Sequence, residues 1–290
     1  MTRHPWRPAF KREFYCMTPK MFVFDLDGTL LNDHKTITPS TVKALKEISD
    51  CGAVVTLASG RISSSMKQFL PMLQKNIAVL SLNGAVVCMG EDHGNRCIYR
   101  STLDKLYSDH LIQFSANQPF ALNVYSEDTL YTVKEENCRC WTDLYHKQTK
   151  TPYIFFDSIQ QLDTVTPLKI SFIGEKDILD RLEEQFRNQW NEKDVYICRT
   201  WKHYLEFLNP QANKGDALQR LVHAYGFSLD EIVAFGDGEN DIPMLEQAGI
   251  GIAMANGTEE AKSKAQRVTR FSNDQDGIAR EWELLKKEFF

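Results

Sequence analysis

Short apolar segments alternate with amphipathic segments at both ends of this sequence, and this alternation constrains the fold more than any other feature. Residues 21–24, 53–58 and 77–82 are almost continuously apolar, and the stretches between them have helical patterns. The same alternation returns near the C-terminus, with apolar segments at 232–235 and 250–254. Strands that are apolar throughout must be buried on both faces. The order therefore predicts an α/β fold in which helices cover both faces of a parallel sheet.

The middle of the chain has a different pattern. Paired short β segments flank polar turns, first at 86–89 and 96–99 and again around Ser126-Glu127-Asp128. Such pairs are typical of antiparallel hairpins. A charged, amphipathic helix is predicted later in the same region. We therefore predict a smaller α+β domain inserted into the core, with this division of the chain: residues 21–84 and 209–290 form the core, and residues 85–208 form the insert.

Composition excludes several classes of partner. The 290 residues are 42% hydrophobic, enough for a full core in one large or two ordinary domains. The net charge is −5, which gives no sign of a nucleic-acid surface. No apolar run approaches the ~20 residues needed to span a bilayer. We expect a monomer or homodimer that binds a small molecule, and neither nucleic acid nor a membrane.

The seven cysteines are scattered along the chain and odd in number. Cys138 and Cys140 have one residue between them, where zinc-binding pairs usually have two or more. We interpret both as ordinary residues, with metal or redox use as the alternative. This cysteine usage favours a reduced, cytoplasmic setting.

The first 20 residues are basic but lack the apolar stretch of a secretory signal. We interpret residues 1–20 as a disordered extension or an overlong start. A transit peptide is the alternative, although the segment is poor in serine and contains three prolines.

Asp25 and Asp27 leave the first predicted strand together and are followed by Gly28. Glycine allows close backbone approach, so both carboxylates can face one pocket. On its own this pattern is also compatible with a solvated loop. A calcium loop is disfavoured, because the further oxygen ligands and the late glutamate are absent.

A second strand, 232–235, also leads directly into carboxylates, at Asp237 and Asp241. Four clustered carboxylates repel one another unless a cation lies among them, and Mg²⁺ suits a site made of oxygen ligands and retained waters. The alternative for Asp241 is a favourable interaction with the N-terminus of the helix that follows.

Two further segments offer groups that bind phosphate. Ser59 and Gly60 end a predicted strand, and Lys214 begins a predicted helix. Together they supply a hydroxyl, exposed backbone amides and a cation. Taken singly, Ser59 is compatible with a helix cap and Lys214 with a surface lysine.

Read in order, these segments resemble the haloacid dehalogenase superfamily. All four of its motifs are present: Asp25-x-Asp27-Gly28-Thr29, Ser59-Gly60-Arg61, Asn213-Lys214-Gly215 and Gly236-Asp237-x-x-Asn240-Asp241. The position of the insert, Asn83-Gly84-Ala85 and the segment 249–256 resemble the Cof-type branch, also called subclass IIB. The resemblance covers residues 21–290. It implies a Rossmann-like core with an α+β cap that selects the substrate.

The resemblance also implies a role for each matched residue. Asp25 is the expected nucleophile and Asp27 the general acid and base. Phosphate ligands are expected at Ser59, Gly60, Lys214 and Asn240. The expected Mg²⁺ ligands are the side chains of Asp25 and Asp237 and the backbone carbonyl of Asp27, with Asp241 supporting them. Two departures are mild: Ser59 stands where threonine is frequent, and Ala255-Asn256-Gly257 stands where Gly-Asn-Ala is usual.

These roles predict a Mg²⁺-dependent phosphatase that hydrolyses small phosphate monoesters, such as sugar phosphates or pyridoxal phosphate, through an aspartyl-phosphate. For Asp27 to give up a proton near neutral pH its pKa must be raised; neighbouring carboxylates act in that direction and a metal acts against it. A phosphomutase and a non-catalytic phosphate sensor are the alternatives. Candidate substrate-selecting residues are Arg61, Tyr125 and His203.

Overall fold

The computed structural model describes residues 18–73, 77–91 and 94–290. Residues 1–17 of the predicted extension lie outside the described residues, so the interpretation of that segment stays a prediction. Within the described ranges, no helix is both long and apolar enough to cross a membrane.

The described residues form fourteen strands and nine α-helices. The strands are β1 (Met21–Asp25), β2 (Val54–Ala58), β3 (Ala78–Ser81), β4 (Val86–Glu91), β5 (Gly94–Arg100), β6 (Ala121–Tyr125), β7 (Leu130–Val133), β8 (Tyr153–Phe156), β9 (Lys169–Ile173), β10 (Tyr196–Trp201), β11 (Tyr204–Leu208), β12 (Ile232–Gly236), β13 (Ile250–Ala253) and β14 (Arg267–Val268). The helices are α1 (Pro39–Asp50), α2 (Ser63–Met66), α3 (Lys105–Phe114), α4 (Arg139–Thr149), α5 (Lys176–Gln189), α6 (Lys214–Tyr225), α7 (Ile242–Gln247), α8 (Glu259–Lys264) and α9 (Gly277–Phe289).

The larger sheet has eight strands in the order β14-β13-β12-β1-β2-β3-β4-β5. The first six of these strands are parallel to one another, and β3 is antiparallel to β4. β1 lies near the middle, and all five of its residues are buried. Phe22 and Phe24 belong to the apolar cluster on one face of the sheet, and Met21 and Val23 belong to the cluster on the other. The predicted α/β core, a parallel sheet buried on both faces, is therefore confirmed.

The smaller sheet has six strands in the order β10-β11-β9-β6-β7-β8, and all of its pairs except β7 with β8 are antiparallel. Apolar residues of α3 and α5 pack against one face of this sheet. Its strands come from the middle of the chain. This sheet is the α+β insert that the hairpin pattern predicts.

The hairpin of β4 and β5 bears on one boundary of that prediction. The predicted insert begins at residue 85, whereas β4 pairs with β3 and, together with β5, extends the larger sheet. Antiparallel strands have the same sequence pattern whether they begin a new sheet or extend an existing one, so the pattern cannot separate the two cases. We therefore propose that the inserted domain begins after Arg100 rather than at residue 85.

The strand order brings the predicted motifs to one edge. β12, β1, β2 and β3 are neighbours, and their carboxyl ends meet at the same edge because the strands are parallel. Asp25 ends β1, Ser59 follows β2, Asn83 follows β3 and Asp237 follows β12. Ligand sites of open parallel sheets lie at this edge.

Candidate active site

At Gly28 the acidic loop that follows β1 and carries Asp25 lies directly against the acidic loop that follows β12 and carries Asp237. Gly28 has a φ of +88°, and a Cβ added there would lie 2.3 Å from Asp237 Oδ2. Any larger residue would be strained and would clash with this carboxylate. Thr29 donates a hydrogen bond from Oγ1 to Asp237 Oδ1 at 2.7 Å. The glycine is needed because the two acidic loops touch.

Lys214 is the cation at the centre of these loops. It is the first residue of α6 and is completely buried. Its Nζ donates to Asp25 Oδ1 at 2.5 Å and to Asp241 Oδ1 at 2.5 Å. Burial lowers the pKa of Lys214, but the charges of Asp241 and Asp25 outweigh burial and raise it above its ordinary value. Lys214 is therefore a fixed positive charge behind Asp25.

Asp241 uses both of its oxygens within the protein. Oδ1 accepts from Lys214, and Oδ2 accepts from the backbone nitrogens of Asp237 at 2.9 Å and Gly238 at 3.0 Å. Gly236 packs directly against its side chain, since a Cβ there would lie 2.5 Å from the Cβ of Asp241. Asp241 thus shapes the turn that carries Asp237.

The carboxylates of Asp25, Asp237 and Asp241 form a cluster that can hold a metal ion, because one oxygen from each lies within 4.8 Å of the others. Burial raises the pKa of Asp25 well above its ordinary value; Lys214 opposes this effect, and Asp241 and Asp237 add to it. Burial and then the charge of Asp241 raise the pKa of Asp237 to about 7. When all three carboxylates are ionised, the cluster carries more negative charge than the single cation Lys214 compensates.

A Mg²⁺ ion fits this cluster by its donor chemistry. Asp25 and Asp237 each use Oδ1 for a hydrogen bond within the protein. Hydrogen bonds among the described residues leave Oδ2 of each free, and hard carboxylate oxygens are what Mg²⁺ prefers. Asp241 has no such free oxygen, which favours a supporting role for it. The roles of Asp241 and of the Asp27 carbonyl stay predictions.

In metal-free protein we expect Asp237→Asn to be more stable than the wild type above about pH 7, and the two to be equally stable near pH 4. The folded-state pKa of Asp237, about 7, lies above its ordinary value of 3.8. Stability from this carboxyl is therefore complete below about pH 4 and is lost as the pH rises through 7. Urea unfolding in EDTA across this range measures the difference.

Excess Mg²⁺ should reverse that order, because an ion bound only by the folded wild type adds about 2.7 kcal/mol at a hundredfold excess over its Kd. Asp109→Asn is the matched control, since Asp109 lies on the surface and pairs with Lys105 at 2.7 Å. A wild type that stays more stable than Asp237→Asn at pH 8 in EDTA would contradict the electrostatic argument.

Asp27 is held by two cations. Arg61 donates from Nε to Asp27 Oδ2 at 2.6 Å and from Nη2 to Oδ1 at 2.8 Å, and Lys35 donates from Nζ to Oδ1 at 2.9 Å. Burial raises the pKa of Asp27, but the hydrogen bonds and charge of Arg61, followed by those of Lys35, outweigh it and lower the pKa to about 2. The raised pKa that an acid role requires is therefore not found in this geometry.

Ser59, Gly60 and Asn240 meet around Asn83. Ser59 Oγ accepts from the backbone nitrogen of Arg61 at 3.2 Å, and Asn240 Nδ2 donates to Asn83 Oδ1 at 3.0 Å. A Cβ on Gly60 would lie 3.0 Å from the same Asn83 oxygen. The loop after β2 and the turn after β12 are thus joined through one asparagine.

A cavity of about 350 Å³ lies between the two sheets at this edge. Seven of the eight predicted site residues line it, and Lys214 lies behind Asp25. The opposite wall comes from the insert and consists of Tyr145, Gln148, Thr149, Thr200, Trp201, Tyr204 and Glu206. The cavity therefore has one acidic, polar wall and one largely aromatic wall.

The three candidate substrate-selecting residues have different positions. Arg61 lines the cavity. Tyr125 is completely buried, and Nζ of Lys169 lies 4.4 Å from its ring centroid. The His203 ring bonds to the Gly174 carbonyl oxygen at 2.9 Å. Among the described lining residues neither Tyr125 nor His203 is present, so selection by these two residues stays a prediction without support from position.

Sequence reasoning missed Lys35, Lys169 and Glu206. Lys35 has a positive φ of 60° and lies in a loop without periodic pattern, so no local signal marks it. Lys169 and Glu206 do have a signal, since each is a charged residue within a strand whose other residues are buried. Buried charges are retained only with partners, so such positions can be identified from sequence.

The chain is similar to known hydrolases in sequence and in fold. A family model described as haloacid dehalogenase-like hydrolase matches residues 22–281. The chain is 28% identical over 279 residues to a 5-amino-6-(5-phospho-D-ribitylamino)uracil phosphatase of Bacillus subtilis, covering 90% of this chain and 96% of that protein. A solved haloacid dehalogenase-like hydrolase of Bacillus subtilis is similar with a TM-score of 0.81 and 26% identity, over 91% of this chain and 99% of that chain. A solved subclass IIB sugar phosphatase shares the fold, with a TM-score of 0.78 and 21% identity, over 92% of this chain and 99% of that chain.

Proposed function

Because the chain belongs to the haloacid dehalogenase-like hydrolase family, we propose that it is a Mg²⁺-dependent phosphatase that hydrolyses small phosphate monoesters through an aspartyl-phosphate. The observation that carries this proposal is the position of Asp25. It ends a central strand, faces the cavity, and has Lys214 at 2.5 Å on one oxygen. The Asp25 carboxylate is therefore held at the cavity wall, where one of its oxygens can attack phosphorus.

In the proposed reaction one carboxylate oxygen of Asp25 forms a bond to phosphorus while the bond from phosphorus to the leaving oxygen breaks. Water then attacks the aspartyl-phosphate, and inorganic phosphate is released. Lys214 holds Asp25 in position and supplies fixed positive charge beside the transferring group, and positioning with charge neutralisation is what phosphoryl transfer requires. Backbone and side-chain donors of Ser59, Gly60 and Asn240 face the same cavity and suit the phosphate oxygens.

Proton transfer is assigned to Asp27, which lies two residues from Asp25 on the cavity wall. Arg61 and Lys35 also line the cavity, so both cations can reach a phosphate bound beside Asp25. When they turn toward the phosphate, the Asp27 carboxyl is released to protonate the leaving oxygen and later to accept a proton from water. This exchange reconciles the low pKa of Asp27 in the described geometry with its proposed role.

The metal is assigned to Asp25 and Asp237, with the Asp27 carbonyl as a further ligand and Asp241 as support. When bound, Mg²⁺ neutralises charge that develops on the transferring phosphoryl group. The support for this assignment is the clustering of buried carboxylates that a single lysine compensates incompletely.

The substrate class is proposed from the cavity. About 350 Å³ accommodates a small phosphate monoester, and Tyr145, Trp201 and Tyr204 contribute aromatic rings to the lining of the cavity. Gln148 adds a polar group to this wall. Sugar phosphates and phosphates with a flat ring are both compatible with it. In this proposal the insert excludes water from the site, and its residues contact the leaving group and select it.

The test is release of inorganic phosphate from p-nitrophenyl phosphate, followed by a panel of sugar phosphates, pyridoxal phosphate and ribityl phosphates. We expect release that requires Mg²⁺ and stops in EDTA. Binding of inorganic phosphate without turnover on any substrate would indicate a sensor. Transfer of the phosphoryl group within the substrate, dependent on a bisphosphate primer, would indicate a phosphomutase. Either result would contradict the proposal.

A further inference from the structure

Two oppositely charged side chains are buried together in the six-stranded sheet. Lys169 is in β9 and Glu206 in the neighbouring β11, and their side chains are only 1% and 3% exposed. Lys169 Nζ lies 2.7 Å from Glu206 Oε1. Ser171 Oγ also donates to this oxygen at 3.3 Å. The pair faces away from the apolar cluster that α3 and α5 form with this sheet, which contains Ile170 and Phe172 instead.

The hydrogen bonds of the pair extend beyond its own sheet. Lys169 Nζ donates to the carbonyl oxygen of Gly60 at 2.7 Å, in the loop after β2 of the larger sheet. On the other side, Asn83 Nδ2 donates to Glu206 Oε2 at 2.6 Å. Each member of the ion pair is therefore bonded to a different loop of the larger sheet. The first loop contains Gly60, which is assigned above to phosphate binding. The second contains Asn83, which contacts Asn240, another residue with that assignment.

Glu206 also determines which way two amides point. An ionised carboxylate only accepts hydrogen bonds, so Asn83 must turn its Nδ2 toward Glu206. Its Oδ1 then faces Asn240 and accepts from Asn240 Nδ2 at 3.0 Å. One N–H of the Asn240 amide is used in this bond and the second N–H is left over, and Asn240 is one of the residues that line the cavity. The orientation of the donor that Asn240 offers to the cavity thus follows from a charge on the insert.

Stability alone does not require this arrangement. Removing two charges from water is costly, and an apolar pair of similar volume is often as stabilising as a buried ion pair. Among the described residues, every hydrogen bond that the pair makes beyond itself and Ser171 goes to the loops of the larger sheet, and the ring of Tyr125 in β6 is its further contact within the insert. What the charges add is a fixed geometry between the insert and those loops.

We propose that Lys169 and Glu206 are positioning residues for phosphate: Lys169 holds the Gly60 loop, and Glu206 orients Asn240 through Asn83. This inference rests on the proposed function, since it takes the Gly60 loop and Asn240 as phosphate ligands. The insert then contributes to phosphate binding as well as to selection of the leaving group. Lys169 and Glu206 themselves need not touch the substrate.

The experiment compares Lys169→Met, Glu206→Leu and the double variant that carries both changes. Four quantities are measured: the Tm, kcat and KM with p-nitrophenyl phosphate, and the inhibition constant of inorganic phosphate. Each single variant leaves one buried charge unpaired and should lower the Tm. The double variant has no unpaired charge, so its Tm should return to near the wild-type value.

The inhibition constant for phosphate should stay raised by about tenfold or more in the double variant, which corresponds to the loss of about one well-made hydrogen bond to an anion. KM should rise with it, because ground-state phosphate contacts are lost. A double variant whose Tm is near the wild-type value and whose KM and inhibition constant are both within twofold of the wild type would overturn the inference, since the pair would then be only structural.

Ile170→Ala is the matched control. Ile170 lies between Lys169 and Ser171 in the same strand but is buried in the apolar cluster on the opposite face. It should lower the Tm and leave the inhibition constant unchanged; an equal rise in that constant would overturn the positioning role. A wild type that releases no phosphate from any substrate contradicts the proposed function instead, so the two failures are distinguishable.

Discussion

Replacing Asp25 with asparagine is expected to abolish phosphate release, with kcat lower by more than about a thousandfold, because the proposed nucleophile is lost and an amide does not attack phosphorus. The fold should remain intact. Burial and two neighbouring carboxylates raise the pKa of Asp25, which means that the surroundings disfavour its charged form. A neutral side chain of the same shape therefore imposes no electrostatic cost, and Lys214 keeps Asp241 as a partner at 2.5 Å.

The measurements are steady-state hydrolysis of p-nitrophenyl phosphate and thermal unfolding in metal-free buffer. We expect the Tm of Asp25→Asn to equal or exceed that of the wild type. Asp109→Asn, an exposed member of an ion pair on α3, should retain full activity. Residual turnover above ~1% in correctly folded Asp25→Asn would count against Asp25 as the nucleophile, since a nucleophile supplies several kcal/mol of barrier reduction.

Replacing Lys214 with methionine is expected to reduce both stability and activity. Lys214 is completely buried and bonds to two carboxylates, so its loss leaves Asp25 and Asp241 without a cation. Breaking a buried ion pair on one side costs about 3–5 kcal/mol of unfolding free energy. Activity should fall by more than about a thousandfold, because the charge beside the transferring group and the orientation of Asp25 are lost together.

Mg²⁺ should restore part of the stability of Lys214→Met, since a cation bound among the carboxylates replaces some of the missing positive charge. It should not restore activity, because Asp25 is no longer held. Unfolding in urea with and without Mg²⁺ and steady-state kinetics test both statements. Lys105→Met is the control, since Lys105 is exposed and pairs with Asp109 one helical turn away. If Lys214→Met in EDTA were as stable as the wild type, Lys214 would not be the cation that compensates Asp25 and Asp241.

These two variants separate roles that a single activity assay would confuse. Asp25→Asn removes reactivity at a site that is already short of positive charge, so stability is kept. Lys214→Met removes the compensating charge itself, so stability is lost together with activity. The two variants are expected to differ in stability because the site buries more carboxylates than cations.

Much of the site could be predicted because its residues lie where strands end. Asp25, Ser59 and Asp237 each follow an apolar segment, and parallel strands bring such positions to one edge whatever the loops do. Lys214 has a comparable local signal, at the start of a helix capped by Asn213. The position of the β4 and β5 hairpin could not be predicted, since its pattern carries no information about which sheet it joins.

The sequence by itself determined the alternation of strands and helices in the core, the acidic loops and the family, because these depend on patterns within a few residues of one another. Only the tertiary structure decided which charges meet: Arg61 and Lys35 with Asp27, and Lys169 with Gly60 and Glu206. Lys169 and Gly60 are 109 residues apart, and Lys214 and Asp25 are 189 apart. Electrostatic interaction depends on distance in space and on burial, and neither is encoded in a local pattern. For that reason the low pKa of Asp27 could be recognised only from the tertiary structure. The same holds for the hydrogen bonds that join Lys169 and Glu206 of the insert to the loops of the larger sheet.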